Sequence, residues 1–138
     1  MIEYVINTAS GCIIYQNHQE TKIHKPALSF IKSLCMKHQF TFEGYLKAIK
    51  KETHLKYKIP LYIHDALMLI PIGPYKAYDT IWINIVSIKS VEVMQNTLQV
   101  TFFHSPMIEL KITLNQLKQL MKHLHWIRNT KVKHFHLS

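Results

Sequence analysis

Residues 98–120, LQVTFFHSPMIELKITLNQLKQL, contain the pattern that decides the fold. Apolar and polar residues alternate from Leu98 to Phe103, which is typical of a strand with one face in a core. The turn-prone HSP that follows precedes a second apolar run, Met107 to Ile112, so the two strands should be antiparallel. Thr113 and Gln116 then have the spacing of a capping box, which marks the start of a helix. The stretch therefore predicts strands followed by a closing helix.

Runs of the same kind occur upstream of this stretch. They are rich in β-branched and aromatic residues and are separated by residues that favour turns. With the two strands above, six are predicted: Ile59 to Ile63, Ala66 to Ile72, Ile81 to Val86, Ile88 to Met94, Leu98 to Phe103 and Met107 to Ile112. A further pair of runs, Ile2 to Asn7 and Gly11 to Gln16, predicts an N-terminal hairpin.

Three segments have apolar residues at helical spacing. The first follows Pro26, a residue type that fits the first turn of a helix, and its stripe is Leu28, Ile31, Leu34 and Cys35. The second runs from Phe42 to about Thr53, with the stripe Phe42, Tyr45, Leu46 and Ile49. The third follows the capping box, with the stripe Leu114, Leu117, Leu120, Met121, Leu124 and Ile127.

These elements predict a single α+β domain with an antiparallel bent sheet, two inserted helices and a C-terminal helix. The chain has 138 residues, enough for one core and too few for two independent ones. The strand meander with its closing helix looks like a pleckstrin-homology domain, a likeness that rests on the order of elements.

No segment of the chain has the sequence of a membrane span or of an export signal. The apolar runs fall short of the roughly 20 residues that cross a bilayer, and the N-terminus lacks the features of a secretory leader. We therefore expect a soluble, cytoplasmic protein without a membrane partner. Cys12 and Cys35 lie in apolar surroundings without CxxC spacing, which favours buried reduced thiols over a disulfide.

Positive charge is concentrated in two segments. The chain carries 17 lysines and arginines against 8 aspartates and glutamates. Residues 22–58 hold nine lysines against Glu43 and Glu52, whereas residues 113–138 hold five basic residues and no acid. This distribution favours a polyanionic partner such as nucleic acid. The alternative is a solvated basic surface that only maintains solubility.

The sequence contains no recognisable catalytic or metal-binding motif. GxSxG, P-loop and HExxH patterns do not occur. The ten histidines include two close pairs, His123 with His125 and His134 with His136. Residues two apart on a helix point in nearly opposite directions, so the first pair chelates poorly, and a flexible tail makes the second a weak site. We therefore expect no enzyme activity, no metal and no cofactor.

Four segments together carry a family resemblance. They are Phe42-Glu43-Gly44-Tyr45-Leu46 with Lys50-Lys51-Glu52-Thr53, Lys58-Ile59-Pro60-Leu61-Tyr62-Ile63, Leu69-Ile70-Pro71 and Asp79-Thr80-Ile81-Trp82-Ile83-Asn84. In order and approximate spacing, this set resembles the ComK proteins, which activate DNA-uptake genes in Gram-positive bacteria. ComK proteins bind paired A/T-rich boxes largely through the minor groove and act as oligomers. The resemblance therefore implies A/T-rich double-stranded promoter DNA as the partner and a homodimer or higher oligomer.

Two departures from the family pattern bear on this expectation. Gly44 is followed by Tyr45-Leu46-Lys47, where the family generally has a serine after the glycine and a Gly-Arg-like pair further on. The family's usual C-terminal extension is replaced by residues 131–138. We expect residues 1–130 to form a ComK-like DNA-binding domain and residues 131–138 a short basic tail. A short paralogue that modulates a longer activator is the alternative to an activator.

The first candidate DNA-binding residues come from the basic segment around the second helix. Lys47, Lys50 and Lys51 lie on one side of this helix. Lys56 and Lys58, on the approach to the next strand, extend the row. Such a row fits phosphate groups, whose neutralisation dominates DNA affinity. A merely solvated helix face is the alternative.

Two further candidates lie outside this row. Lys76, with Tyr75 and Tyr78, belongs to the Gly73 to Asp79 loop, and a cation on a loop can enter a narrow A/T-rich minor groove. Ordinary loop packing explains the two tyrosines equally well. Arg128, near the end of the last helix, is a DNA-binding candidate that can instead complement the helix dipole.

The two tryptophans have different expected roles. Trp82 lies within an apolar run, so core packing is favoured over stacking on bases. Trp126 lies off the main stripe of the last helix, where it either contacts a second copy of the chain or is half exposed on the monomer.

Two other functions stay open on the sequence. A pleckstrin-homology-like module with a basic face could bind an acidic protein or an anionic lipid through charge alone. A basic nucleic-acid enzyme is disfavoured, because the sequence lacks a clustered set of metal-binding carboxylates.

Overall fold

The computed structural model describes residues 1–53 and 55–137, with side chains up to residue 130. Its helices are α1 (Ala27–Lys37), α2 (Phe42–Thr53) and α3 (Leu114–Leu137), and a 3-10 turn spans Ile85–Ser87. Its strands are β1 (Ile2–Thr8), β2 (Gly11–Gln16), β3 (Gln19–Ile23), β4 (Leu61–His64), β5 (Leu67–Ile72), β6 (Ile81–Asn84), β7 (Ile88–Val93), β8 (Leu98–Phe102) and β9 (Ile108–Leu110). The side chains of the predicted tail, 131–138, including its histidine pair, lie outside the described residues.

The strands form two sheets in the part of the chain that the structure describes. Six strands make the first, in the order β3-β2-β1-β6-β5-β4, and three make the second, in the order β7-β8-β9. Neighbouring strands are antiparallel throughout. The predicted α+β domain with two inserted helices and a C-terminal helix is confirmed. The pleckstrin-homology likeness stays a prediction.

β3 is a strand that the sequence pattern does not predict. Its residues, QETKI, are mostly exposed and lack apolar alternation. The turn before it explains why it forms, because Asn17 and His18 have φ values of 49° and 64°. Two successive left-handed residues make the tight turn that matches the twist of a hairpin. Gln16 therefore pairs with Gln19, and the N-terminal hairpin gains a third strand.

Asn84 ends β6 and separates the two sheets. Its side chain is fully buried. The amide nitrogen donates to the carbonyls of Ile2 (2.8 Å) and Ala66 (3.2 Å), and the amide oxygen accepts from the backbone N–H groups of Met68 (3.1 Å) and Val86 (3.3 Å). Because these bonds turn the backbone at this point, the predicted strand ends two residues early and β7 enters a new sheet.

The core lies where α1 and α2 pack on the large sheet. Trp82 of β6 has no exposed surface, which confirms its predicted core role. Its ring lies 6.1 Å from Phe42 of α2 and 6.0 Å from Tyr75, measured between centroids. Cys12 and Cys35 are both buried as thiols, as predicted.

α1 ends in a Schellman motif. The N–H of Phe40 bonds to the carbonyl of Cys35 at 3.2 Å, and the N–H of Gln39 bonds to that of Met36 at 3.0 Å. This pattern requires a left-handed residue just after the helix, and Gln39 has a φ of 70°. The motif satisfies the last carbonyls of α1 and directs the chain into α2.

The predicted capping box at the start of α3 is confirmed. The hydroxyl of Thr113 accepts from the N–H of Gln116 at 3.1 Å, and the Gln116 side chain accepts from the N–H of Thr113 at 2.9 Å. Leu117, Leu124 and Ile127 of the stripe are buried.

Bonds from β1 join the two sheets. The buried carboxylate of Glu3 accepts from the hydroxyl of Ser105 at 2.7 Å and from the N–H of His104 at 3.2 Å. The hydroxyl of Tyr4 donates to the carbonyl of Pro106 at 3.0 Å. The loop between β8 and β9 is therefore docked on the first strand, and the two sheets belong to one domain.

Candidate nucleic-acid interface

The lysines of α2 lie opposite its buried face. Thr41 caps the helix, since its hydroxyl accepts from the N–H of Gly44 at 3.0 Å. The side chains packed in the core are Phe42, Tyr45, Ile49 and Thr53. With that face fixed, the predicted residues Lys47, Lys50 and Lys51 are exposed to solvent.

The segment after α2 places two more predicted lysines at the surface. Lys56 and Lys58 are exposed, and Lys58 has a left-handed φ of 48°. Two tyrosine hydroxyls hold the end of the segment that leads into β4. The N–H of Ile59 donates to the hydroxyl of Tyr75 at 2.6 Å, and the carbonyl of Pro60 accepts from the hydroxyl of Tyr45 at 2.6 Å.

The loop after β5 is ordered by two consecutive turns. The N–H of Ala77 bonds to the carbonyl of Pro74 at 3.1 Å, and that of Thr80 bonds to Ala77 at 3.2 Å. Tyr75 points inward, where its ring meets Phe42 edge-on at 5.5 Å, and burial raises the pKa of its hydroxyl. Ordinary packing therefore accounts for Tyr75, while Lys76 and Tyr78 are exposed.

Asn7 holds this loop against the start of α1. Its amide nitrogen donates to the carbonyl of Tyr78 at 2.9 Å, and its amide oxygen accepts from the N–H of Ala27 at 2.8 Å. Sequence reasoning misses this role, because Asn7 lies at the end of a strand far from both partners in the chain. Its effect is to fix the loop that carries Lys76 relative to the start of α1.

Lys76 lies at a groove between the two helices. The groove has a volume of about 420 Å³ and is lined by Leu28, Lys32, Phe42, Glu43, Leu46, Pro74, Tyr75 and Lys76. Lys32 bonds to Glu43 across it at 2.8 Å, and this bond lowers the pKa of the Glu43 carboxyl. One acid of this basic segment is thus neutralised within the protein.

Six predicted residues thus lie on segments that contact one another. Lys58 and Lys76 flank the contact between Ile59 and Tyr75, and Lys56 precedes it in the chain. α2 leads directly into this segment. We call the set the lysine surface: Lys47, Lys50, Lys51, Lys56, Lys58 and Lys76.

Arg128, the seventh predicted residue, is engaged in an ion pair. Its guanidinium bonds to the carboxylate of Asp65 at 2.9 and 3.4 Å, and the hydroxyl of Tyr62 donates to the same carboxylate at 2.6 Å. The bond from Arg128, followed by that from Tyr62, lowers the pKa of the Asp65 carboxyl. The bond to Asp65 in turn raises the pKa of Arg128. Arg128 therefore fastens α3 to the turn between β4 and β5.

A second groove joins the two basic segments of the chain. It has a volume of about 240 Å³, and its polar lining comes from Tyr57 and Lys58 on one side and from Gln116, Gln119 and His123 of α3 on the other. The Nε2 atoms of His123 and Gln119 lie 3.0 Å apart. Burial, followed by the charge of nearby Lys122, lowers the pKa of His123. Tyr57 is an exposed aromatic that sequence reasoning misses, although its position between two lysines is visible in the sequence.

Among the described residues, no group of three or more His, Cys, Asp or Glu side chains is arranged to hold a metal ion. Nor does any helix described there have the length and apolar character needed to span a membrane.

Comparison with known proteins bears on the identity of the chain. A family model described as ComK protein matches residues 2–134 of the 138. Neither a curated protein nor a solved structure gave a significant match. The matched range contains all the strands and the whole lysine surface.

Proposed function

Because this chain belongs to the ComK family of competence transcription factors, we propose that it regulates DNA-uptake genes by binding A/T-rich double-stranded DNA through the lysine surface. The observation that carries this proposal is the clustering of exposed lysines on α2 and on the two segments beside it. The family is one of transcription factors rather than enzymes.

Phosphate neutralisation supplies the affinity in this proposal. Each lysine that contacts a phosphate displaces bound counterions, and this release dominates sequence-independent binding. α2 presents three lysines on one exposed face, and the acid Glu43 near its start is paired with Lys32. The surface therefore offers a strip of cations for the DNA backbone, with the exposed Glu52 as the other acid of α2.

The preference for A/T-rich sequence is assigned to the loop side of the surface. A/T tracts have a narrow minor groove with enhanced negative potential, which attracts cations placed on loops. Lys58 and Lys76 occupy such positions. The hydroxyl of Tyr45 bonds to the segment of Lys58, and the bond between Ile59 and Tyr75 joins that segment to the loop of Lys76. These two side chains are the proposed minor-groove contacts, and the lysines of α2 contact the flanking phosphates.

Recognition of paired boxes requires more than one copy of the chain. Symmetry-related half-sites are matched by symmetry-related protein copies. Trp126, whose exposed fraction is 47%, is the proposed centre of the contact between copies, since large aromatics dominate such interfaces.

Fluorescence anisotropy with labelled duplexes tests the proposed function. Two duplexes of equal length, one with two A/T boxes and one with a scrambled G/C sequence, are titrated over a salt series. We expect tighter binding to the A/T duplex at about 150 mM salt and a steep loss of affinity as salt rises.

Two outcomes contradict parts of this proposal. Equal affinity for both duplexes removes the sequence preference, because phosphate attraction alone ignores groove shape. Binding to anionic liposomes without binding to either duplex replaces DNA by a lipid surface as the partner.

A further inference from the structure

Tyr57 is an aromatic side chain that the monomer leaves outside its core. Its exposed fraction is 84%, compared with 64% for Tyr78 and 54% for Phe103. An aromatic ring gains stability mainly by burying its faces. Little of that gain is realised at Tyr57 in the folded monomer, so the ring is available to a partner.

One hydrogen bond lies on each side of Tyr57 in the chain. On one side, the N–H of Leu55 bonds to the hydroxyl of Thr53 at 3.3 Å. On the other, the N–H of Ile59 bonds to the hydroxyl of Tyr75 at 2.6 Å. Lys58, between these anchors, has the sparsely populated left-handed backbone. The bond to Tyr75 and the fixed turn at Lys58 reduce the backbone freedom that is lost when this segment binds.

The charges next to Tyr57 favour an anionic partner. Lys56 and Lys58 flank the ring in the chain and are exposed. The described residues that line the adjacent groove include the amides Gln116 and Gln119 and no acid. A ring between cations fits a base whose neighbouring phosphates carry the opposite charge.

We propose that Tyr57 is a wedge that enters an A/T-rich base step from the minor groove and partly unstacks it. This inference rests on the proposed function, since it requires binding to duplex DNA. Lys58 enters the same groove beside the ring, and Lys56 binds a phosphate next to the step. Apolar and aromatic wedges of this kind favour steps that unstack easily, such as TA. Tyr57 therefore adds a preference for deformable sequence to the attraction exerted by the lysines.

Duplexes with 2-aminopurine at the central TA step of an A/T box test this inference. The fluorescence of this base rises when it loses stacking with its neighbours. We expect a rise on binding of the wild-type protein, loss of the rise with Tyr57→Ala, and its retention with Tyr57→Phe, which keeps the ring. Affinity should fall by roughly 5- to 100-fold with Tyr57→Ala, while the salt dependence stays unchanged because no cation is removed.

Phe103→Ala is the matched control, because it removes an exposed aromatic from the loop just after β8. The wedge proposal would be overturned if Tyr57→Ala kept the affinity, the salt dependence and the fluorescence rise of the wild-type protein. The proposed DNA binding would then stay intact. Absence of duplex binding in the wild-type protein would overturn both. If Tyr57→Ala abolishes self-association in sedimentation velocity but keeps the fluorescence rise, Tyr57 contacts a second copy of the chain and the wedge is wrong.

Discussion

Gln39, at the end of α1, occupies a backbone conformation that glycine adopts at lower cost. Its φ is 70°, and a side chain disfavours this region by roughly 1–2 kcal/mol. Glycine also loses more backbone freedom on folding, and this cost offsets roughly 0.5–1 kcal/mol of the conformational gain. We expect Gln39→Gly to raise the free energy of unfolding by about 0.5–1 kcal/mol, seen as a higher urea midpoint at an unchanged m-value.

Gln39→Ala separates the backbone effect from loss of the side chain. Alanine keeps the Cβ atom that opposes the left-handed region, so it should bring no comparable gain. Equal shifts of the urea midpoint in both variants would assign the effect to the glutamine side chain instead.

Single residues also show where prediction from the sequence ends. Trp82 is predictable as a core residue because its neighbours in the chain are apolar. Asn84, two positions later, is not predictable as the point where the sheets separate, since its four partners come from distant strands and a following turn. Tyr57 is missed for a related reason: flanking lysines do not reveal whether a ring is buried.

At the scale of elements, α2 and its lysines follow from the sequence, whereas the neighbours of α2 do not. Helical periodicity predicts which face is buried and therefore which lysines are exposed. It does not predict that the Gly73 to Asp79 loop meets the 56–60 segment, because that contact depends on a bond from Ile59 to Tyr75. β3 is missed because its pairing depends on a turn conformation rather than on apolar alternation.

The lysines of α2 should contribute to DNA affinity through their charge and should contribute little to the stability of the fold. We expect replacement of Lys47, Lys50 and Lys51 by alanine to weaken binding to both A/T and G/C duplexes. The slope of log affinity against log salt should fall by up to about three units, since each lost phosphate contact removes roughly one. Anisotropy titrations over the salt series measure this slope, and circular dichroism checks the fold.

A variant with Lys22, Lys89 and Lys118 replaced by alanine loses the same charge from exposed positions outside the lysine surface. Its slope should stay near the wild-type value. Slopes that fall equally in the two triple variants would indicate attraction by net charge alone and would exclude α2 as the contact.

At the scale of the whole molecule, the proposed reading of two boxes depends on self-association. We expect the wild-type protein to sediment as a dimer or larger species at micromolar concentration, with two or more chains on a two-box duplex. Trp126→Ala should shift the protein toward monomer, because truncation of a central interface aromatic typically costs about 2 kcal/mol or more. Sedimentation velocity with and without the duplex measures both quantities.

Met121→Ala is a suitable control, since it removes another exposed apolar side chain of α3. A wild-type protein that sediments as a monomer and binds the duplex as a single chain would contradict the proposed recognition of two boxes by an oligomer. It would favour a monomeric modulator and leave Trp126 as a partly exposed residue of the monomer.

The position of β1 in the large sheet affects how the chain folds as it leaves the ribosome. This strand is made long before its neighbour β6, which begins at Ile81, and Tyr4 bonds to a residue 102 positions later. At about 5–20 residues per second, the growing chain needs roughly 5–20 s to supply those partners. During that interval one edge of the N-terminal hairpin is open to pairing with other chains. Such distant contacts also slow folding, so the yield of active protein in the cell should depend on chaperones that cover this edge during synthesis.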